Sequence, residues 1–174
     1  MTDYPVIDAG SDDAFDDLLA ANREFAASFD GGLEGKAVKG VMLVTCMDAR
    51  IDPLRILGLE VGDAKVFRNP GGRVTDAALE AVVLGVNLLG VERVLVVPHT
   101  SCAMAASTQD QVREKVGAAC GHDASWATFG VVADQQASLV DDVQRILHHP
   151  LVPDSVHVAG FVYDVDSGEL ERRA

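Results

Sequence analysis

Basic residues are scarce in this sequence: Lys and Arg total 14 against 27 Asp and Glu, a formal charge of −13. A field of that sign repels polyanions, which excludes nucleic acid as a natural partner and leaves a small neutral molecule unhindered. Cysteine is scarce as well. Three thiols, an odd number, make no disulfide framework, and reduced thiols are free to bind metal. No apolar run is long enough to span a bilayer, and no basic stretch followed by an apolar one opens the chain. A soluble, cytoplasmic protein with no membrane partner is therefore expected. Internal repeats and low-complexity tracts are missing too. The glycines fall at the ends of elements rather than in a phosphate-binding loop, and Gly71-Gly72 lacks the spacing of a dinucleotide fingerprint.

What is present suits one folded domain. The chain has 174 residues, 48% of them hydrophobic, enough for a proper core. Residues 1–10 read as a flexible N-terminal arm and 11–174 as a single domain. Ser11 offers an N-cap to a helix whose apolar positions are Phe15, Leu18, Leu19, Phe25, Ala26 and Phe29, stopped by Asp30-Gly31-Gly32. Lys39 to Thr45 reads as a buried strand, Pro53 to Leu57 as a short helix, and Ala64 to Phe67 as a second strand. Thr75 caps a helix with an apolar face of Ala78, Leu79, Val82, Val83, Val86 and Leu89, ended by Gly90. A strand from Arg93 to Val97 follows, then a polar helix over Gln109 to Ala119 and a loop over Cys120 to Gly130. Val131 to Leu147 shows helical spacing, Ser155 to Val165 reads as a strand, and Asp166-Ser167-Gly168 turns the chain into a final hairpin strand. Alternation of strand and helix predicts an α/β fold: a mostly parallel central sheet flanked by helices, with an antiparallel edge strand.

Two stretches where hydrophobic strands run out carry the chemistry. Thr45-Cys46-Met47-Asp48-Ala49-Arg50 follows Val41 to Val44, and Pro98-His99-Thr100-Ser101-Cys102 follows Val94 to Val97. Ligands gather at the carboxyl ends of strands in open α/β sheets, so these residues can converge on one spot. Cys46, His99 and Cys102 are a soft nitrogen and sulfur set suited to Zn2+, and three protein ligands leave a fourth position open, as catalytic zinc sites do. Arg50 can clamp Asp48 bidentately and keep it ionised. Elsewhere, Cys120-Gly121-His122 lacks two further ligands and reads as a loop cysteine and a solvated histidine. His148-His149 complements a helix C-terminus, and His157 reads as a satisfied buried histidine.

Cys46-x-Asp48-x-Arg50, Arg68-Asn69-Pro70-Gly71-Gly72 and His99-Thr100-x-Cys102, in that order and separation, resemble the β-class carbonic anhydrases. The resemblance implies that fold and a zinc-dependent, reversible hydration of carbon dioxide to bicarbonate (a carbonate dehydratase, a lyase). In that family a zinc-bound hydroxide is oriented by the Asp-Arg dyad, here Asp48 and Arg50. The aspartate is also a possible fourth ligand in a closed form. It further implies a homodimer or a dimer of dimers, with the first helix lying across a neighbouring subunit; on the residues alone, a helix covering its own sheet fits as well. Carbonyl sulfide or carbon disulfide hydrolysis on the same scaffold, or a non-catalytic zinc- or bicarbonate-binding homologue, are the alternatives. A phosphatase-type use of Cys46 fails on spacing, because Asp52 stands where that chemistry needs arginine. Two residues depart from the family pattern: Ala103 replaces a glycine after the second zinc cysteine, and Pro70 replaces an alanine before Gly71. If the glycine serves backbone angles closed to alanine, the metal loop is displaced.

Overall fold

The computed structural model describes residues 13–174, so the expected arm at 1–10 and the Ser11 cap lie outside the described residues. The chain divides into two units, one ending at Leu33 and one running from Glu34 to Ala174. In the first, a 3-10 turn at Asp13–Phe15 leads into α1 (Asp16–Ala27), with Asp16 and Asp17 in the first turn where they complement the helix dipole. The apolar spacing is there, yet no α1 residue is buried. Leu18, Leu19 and Phe25 of the helix, and Phe15 and Phe29 beside it, all stand exposed.

In the second unit, β1 (Val41–Cys46) is buried at every position, as a run of apolar residues inside a parallel sheet should be. The chain continues through a 3-10 turn at Arg55–Leu57 to β2 (Ala64–Asn69), α2 (Asp76–Leu88), β3 (Arg93–Val97), α3 (Gln109–Cys120), α4 (Gln135–Leu147), β4 (His157–Tyr163) and β5 (Leu170–Arg172). The sheet order is β2-β1-β3-β4-β5, with every pairing parallel except β4 with β5. The α/β class, the parallel sheet and the antiparallel edge are thus as the sequence predicts.

One core joins Met42, Val44, Val94 and Val96 of the sheet to Ala78, Leu79 and Val82 of α2 and Leu139, Val143 and Ile146 of α4. Each fully buried side chain of this kind contributes about 1.5–3 kcal/mol. A second, smaller core gathers Leu43, Cys46, Ile51, Val97, Cys102 and Tyr163. Because β2 lies on one side of β1 and β3 on the other, the strand order switches direction beside β1, and both site-bearing stretches leave the sheet there.

Three local expectations are corrected. Helical spacing from Val131 suggests a helix from there, but α4 begins at Gln135, where the Asp134 carboxylate accepts from the Ala137 amide at 2.9 Å. The Val132 amide instead donates to the Met104 carbonyl at 2.8 Å, which takes it out of any helix. Between Pro53 and Leu57 only the 3-10 turn forms, closed by Gly58 at φ +63°. His157 is exposed, not buried, because it is the first residue of β4.

Candidate metal centre

Cys46 ends β1, and His99 and Cys102 follow β3 by two and five residues. One donor atom from each lies within 4.8 Å of the other two, and all three residues are buried. His99 Nδ1 donates to the Thr100 carbonyl at 2.8 Å, which leaves the lone pair on Nε2. That Nε2 is the one buried side-chain nitrogen or oxygen among the described residues without a hydrogen-bond partner. An orphaned polar atom of this kind costs about 1–3 kcal/mol, which a bound cation offsets. Burial pushes the Cys102 thiol up, against the backbone amides of Met104 and Ala105 that favour its thiolate. A divalent cation supplies the charge that two buried sulfurs need to ionise together. The donor set fits Zn2+: one imidazole, two thiolates and an open side.

Asp48 stands at that open side, its Oδ2 3.8 Å from His99 Nε2. Arg50 holds both carboxylate oxygens, Nε on Oδ1 at 2.9 Å and Nη2 on Oδ2 at 2.8 Å, and its amide donates to Oδ1 at 2.9 Å. These bonds, the side-chain ones first, hold the Asp48 carboxyl well below the usual carboxylate range. Arg50 is fixed in turn by the Ser101 carbonyl at 3.2 Å. Ser101 adopts φ +56°, a left-handed conformation costly for a non-glycine residue, and it sits between the two β3-side donors.

The loop after β2 braces the β1 end. Arg68 donates to the carbonyls of Cys46 at 2.8 Å and Asp48 at 2.6 Å, so it fixes the backbone that carries a donor and the carboxylate. Asn69 closes the turn on itself by bonding the amide and carbonyl of Arg73. Gly72 packs against the β1 end so closely that an added Cβ would lie 2.9 Å from the Cys46 nitrogen. Arg73 reaches out of this turn to the buried Asp142 of α4, an ion pair between residues 69 apart in sequence. Gln135, the first residue of α4, donates to the His99 carbonyl at 3.0 Å.

Neither departure from the family pattern strains the backbone. Among the described residues only Ser101 is a left-handed non-glycine, so Ala103 does not occupy angles closed to alanine. Pro70 opens the 3-10 turn Pro70–Gly72, where a missing amide donor costs nothing. The other histidines stay out of the site. His148 Nδ1 bonds the Gln144 carbonyl at the end of α4, and Cys120 and His122 are exposed outside the donor cluster.

Above the three donors opens a cavity of about 370 Å³ with almost entirely apolar walls. Met47 and Ala103 come from the donor-bearing loops and Pro70 from the loop after β2, whereas Val112 and Val116 of α3 and Phe129 come from segments that sequence reading leaves without a role. The available signal was the Val112/Val116 pair, one turn apart in an otherwise polar helix.

A family model described as carbonic anhydrase matches residues 41–170. Beta-carbonic anhydrase 1 of Mycobacterium tuberculosis is 34% identical over 155 residues, covering 89% of this chain and 94% of the relative. The chain belongs to the β-carbonic anhydrase family. The crystal structure of carbonic anhydrase from Streptococcus mutans shares this fold with a TM-score of 0.82 at 32% identity, covering 92% of this chain and 97% of that one. A carbon disulfide hydrolase of Acidithiobacillus thiooxidans is 29% identical over 164 residues, covering 80% of this chain and 75% of the relative. Among the described residues no helix is long and apolar enough to cross a membrane.

Proposed function

We propose that this β-carbonic anhydrase family member is a zinc-dependent carbonate dehydratase that interconverts carbon dioxide and bicarbonate. The reading rests above all on the unpartnered His99 Nε2 facing two buried thiols at the base of an apolar cavity. Cys46, His99 and Cys102 are the zinc ligands. When bound, zinc acidifies a water so that a nucleophile is available near neutral pH. Asp48, kept ionised by Arg50, accepts the hydrogen of the attacking oxygen at a carboxylate oxygen and turns that oxygen's lone pair toward the cavity. Arg50 prevents the carboxylate from rotating or protonating, and Ser101 and Arg68 keep the dyad in place. In this arrangement Asp48 is engaged by Arg50 at both oxygens, so serving as a fourth ligand requires that pair to open. The apolar walls admit a neutral, weakly hydrated molecule and keep bulk water from competing.

Zinc quantification combined with stopped-flow carbon dioxide hydration tests this. Equimolar zinc and rapid hydration are expected, with both lost in Cys46→Ser. Carbon disulfide or carbonyl sulfide hydrolysis is the second reading, favoured by the carbon disulfide hydrolase relatives and by walls that suit an apolar triatomic sulfide equally well. Side-by-side turnover of carbon dioxide and carbonyl sulfide separates the two, and a strong preference for the sulfide overturns the first.

The assembly is proposed to be a homodimer or a dimer of dimers, supported by the exposed row of Phe15, Leu18, Leu19, Phe25 and Phe29. Apolar patches of that kind mark interaction surfaces. A reducing compartment such as the cytoplasm suits the two thiol ligands.

A further inference from the structure

Helix α3 serves the cavity in two ways. Val112 and Val116 line it directly, and Arg113, between them in sequence, holds a neighbouring loop: its Nε donates to the Ala127 carbonyl at 2.8 Å. Gln109 Nε2 donates to the same carbonyl at 3.3 Å. Two residues further on, Phe129 enters the cavity wall, the sole aromatic in that lining. On its far side the Val132 amide ties the chain to the Met104 carbonyl at 2.8 Å. No helix or strand spans residues 121–134, and these two anchors hold the chain on either side of Phe129. The cavity, at about 370 Å³, is roughly an order of magnitude larger than the share of one water in the liquid, so a triatomic molecule fills little of it. Phe129 and the three donors line this one cavity.

We infer that Phe129 is the specificity-determining wall of this cavity for apolar ligands larger than a triatomic molecule, and that Arg113 is its positioning residue. The inference rests on the zinc-centred reading above for the place where such a ligand is anchored. Truncating the ring removes the aromatic face that an aryl ligand packs against, which weakens that ligand by about tenfold.

Isothermal titration of the zinc-loaded chain with two metal-directed probes tests it. Thiocyanate is triatomic, and benzenesulfonamide carries a ring beyond its metal-binding nitrogen. Phe129→Ala should weaken benzenesulfonamide about tenfold and leave thiocyanate within about twofold. Arg113→Ala should shift the same ratio in the same direction, and Arg113→Lys, which keeps a donor for the Ala127 carbonyl, should restore it. If Phe129→Ala fails to retain zinc, Phe129→Leu reports the same ratio with a smaller loss. Equal weakening of both probes, or no change in their ratio in Phe129→Leu and Arg113→Ala, overturns the inference. A wild-type chain that binds both probes but does not hydrate carbon dioxide overturns the enzymatic reading instead, and leaves this one standing.

Discussion

Replacing Gly72 by alanine is the sharpest structural perturbation of the site that touches no donor. Its φ is +65°, where an L side chain costs about 1–2 kcal/mol. The added Cβ would also lie 2.9 Å from the Cys46 nitrogen, 3.1 Å from the Thr45 carbonyl carbon and 3.3 Å from the Val97 oxygen. All three are backbone atoms of the central strands, so none can swing aside. Overpacking of that kind adds about 1–3 kcal/mol, for a sum near 2–5 kcal/mol. Two other glycines calibrate the estimate. Gly58, at φ +63°, would carry its Cβ into open space, so Gly58→Ala isolates the backbone strain at about 1–2 kcal/mol. Gly71, at φ +83°, would meet the Val132 Cγ2 at 3.1 Å, a side chain that can yield, and should fall between the two. Denaturant unfolding of the three variants should therefore rank them Gly58, Gly71, Gly72 in increasing cost. Zinc affinity should fall most for Gly72→Ala, because relieving the clash displaces Cys46. A Gly72→Ala protein no less stable than Gly58→Ala would refute the claim that this turn is wedged against the donor strand.

Other consequences follow from the same geometry. Asp142→Asn leaves the half-buried Arg73 without its counter-charge and should cost about 1–3 kcal/mol, read by denaturant unfolding. Arg50→Ala frees the Asp48 carboxylate and should lower carbon dioxide hydration about a hundredfold or more while equimolar zinc is retained, measured by stopped flow and metal analysis. Loss of zinc in that variant would instead make the pair a structural support. Leu18→Asp with Phe25→Asp, both at exposed α1 positions, should dissociate the proposed oligomer in light scattering with little change in the stability of the Glu34–Ala174 unit.

Much of this site was legible in the chain itself. Val41 to Val44 and Val94 to Val97 are uninterrupted apolar runs, which only strands buried on both faces require, and the donors sit where those runs end. The caps were equally plain: the Thr75 hydroxyl accepts from the Ala78 amide, and Gly90 takes φ +74° just past α2. What escaped was set by contacts between distant residues. Nothing near Arg73 in sequence announces Asp142, and nothing near Gln109 or Arg113 announces the Ala127 carbonyl they hold. Val131 and Val132 have helical spacing but are drawn off by the Met104 carbonyl. Phe129 looks like an apolar residue in a loop until the cavity beside it is seen. The apolar spacing of α1 was legible in the sequence, and its exposure was not.

The proposed chemistry requires one cation held by Cys46, His99 and Cys102. Metal analysis of the purified wild type alongside His99→Ala, followed by chelation and zinc reconstitution of the wild type with hydration measured at each stage, tests that most directly. Equimolar zinc in the wild type, little or none in His99→Ala, and activity that vanishes with chelation and returns with zinc are predicted. A His99→Ala protein that keeps its zinc, or hydration that survives complete removal of the metal, would contradict it.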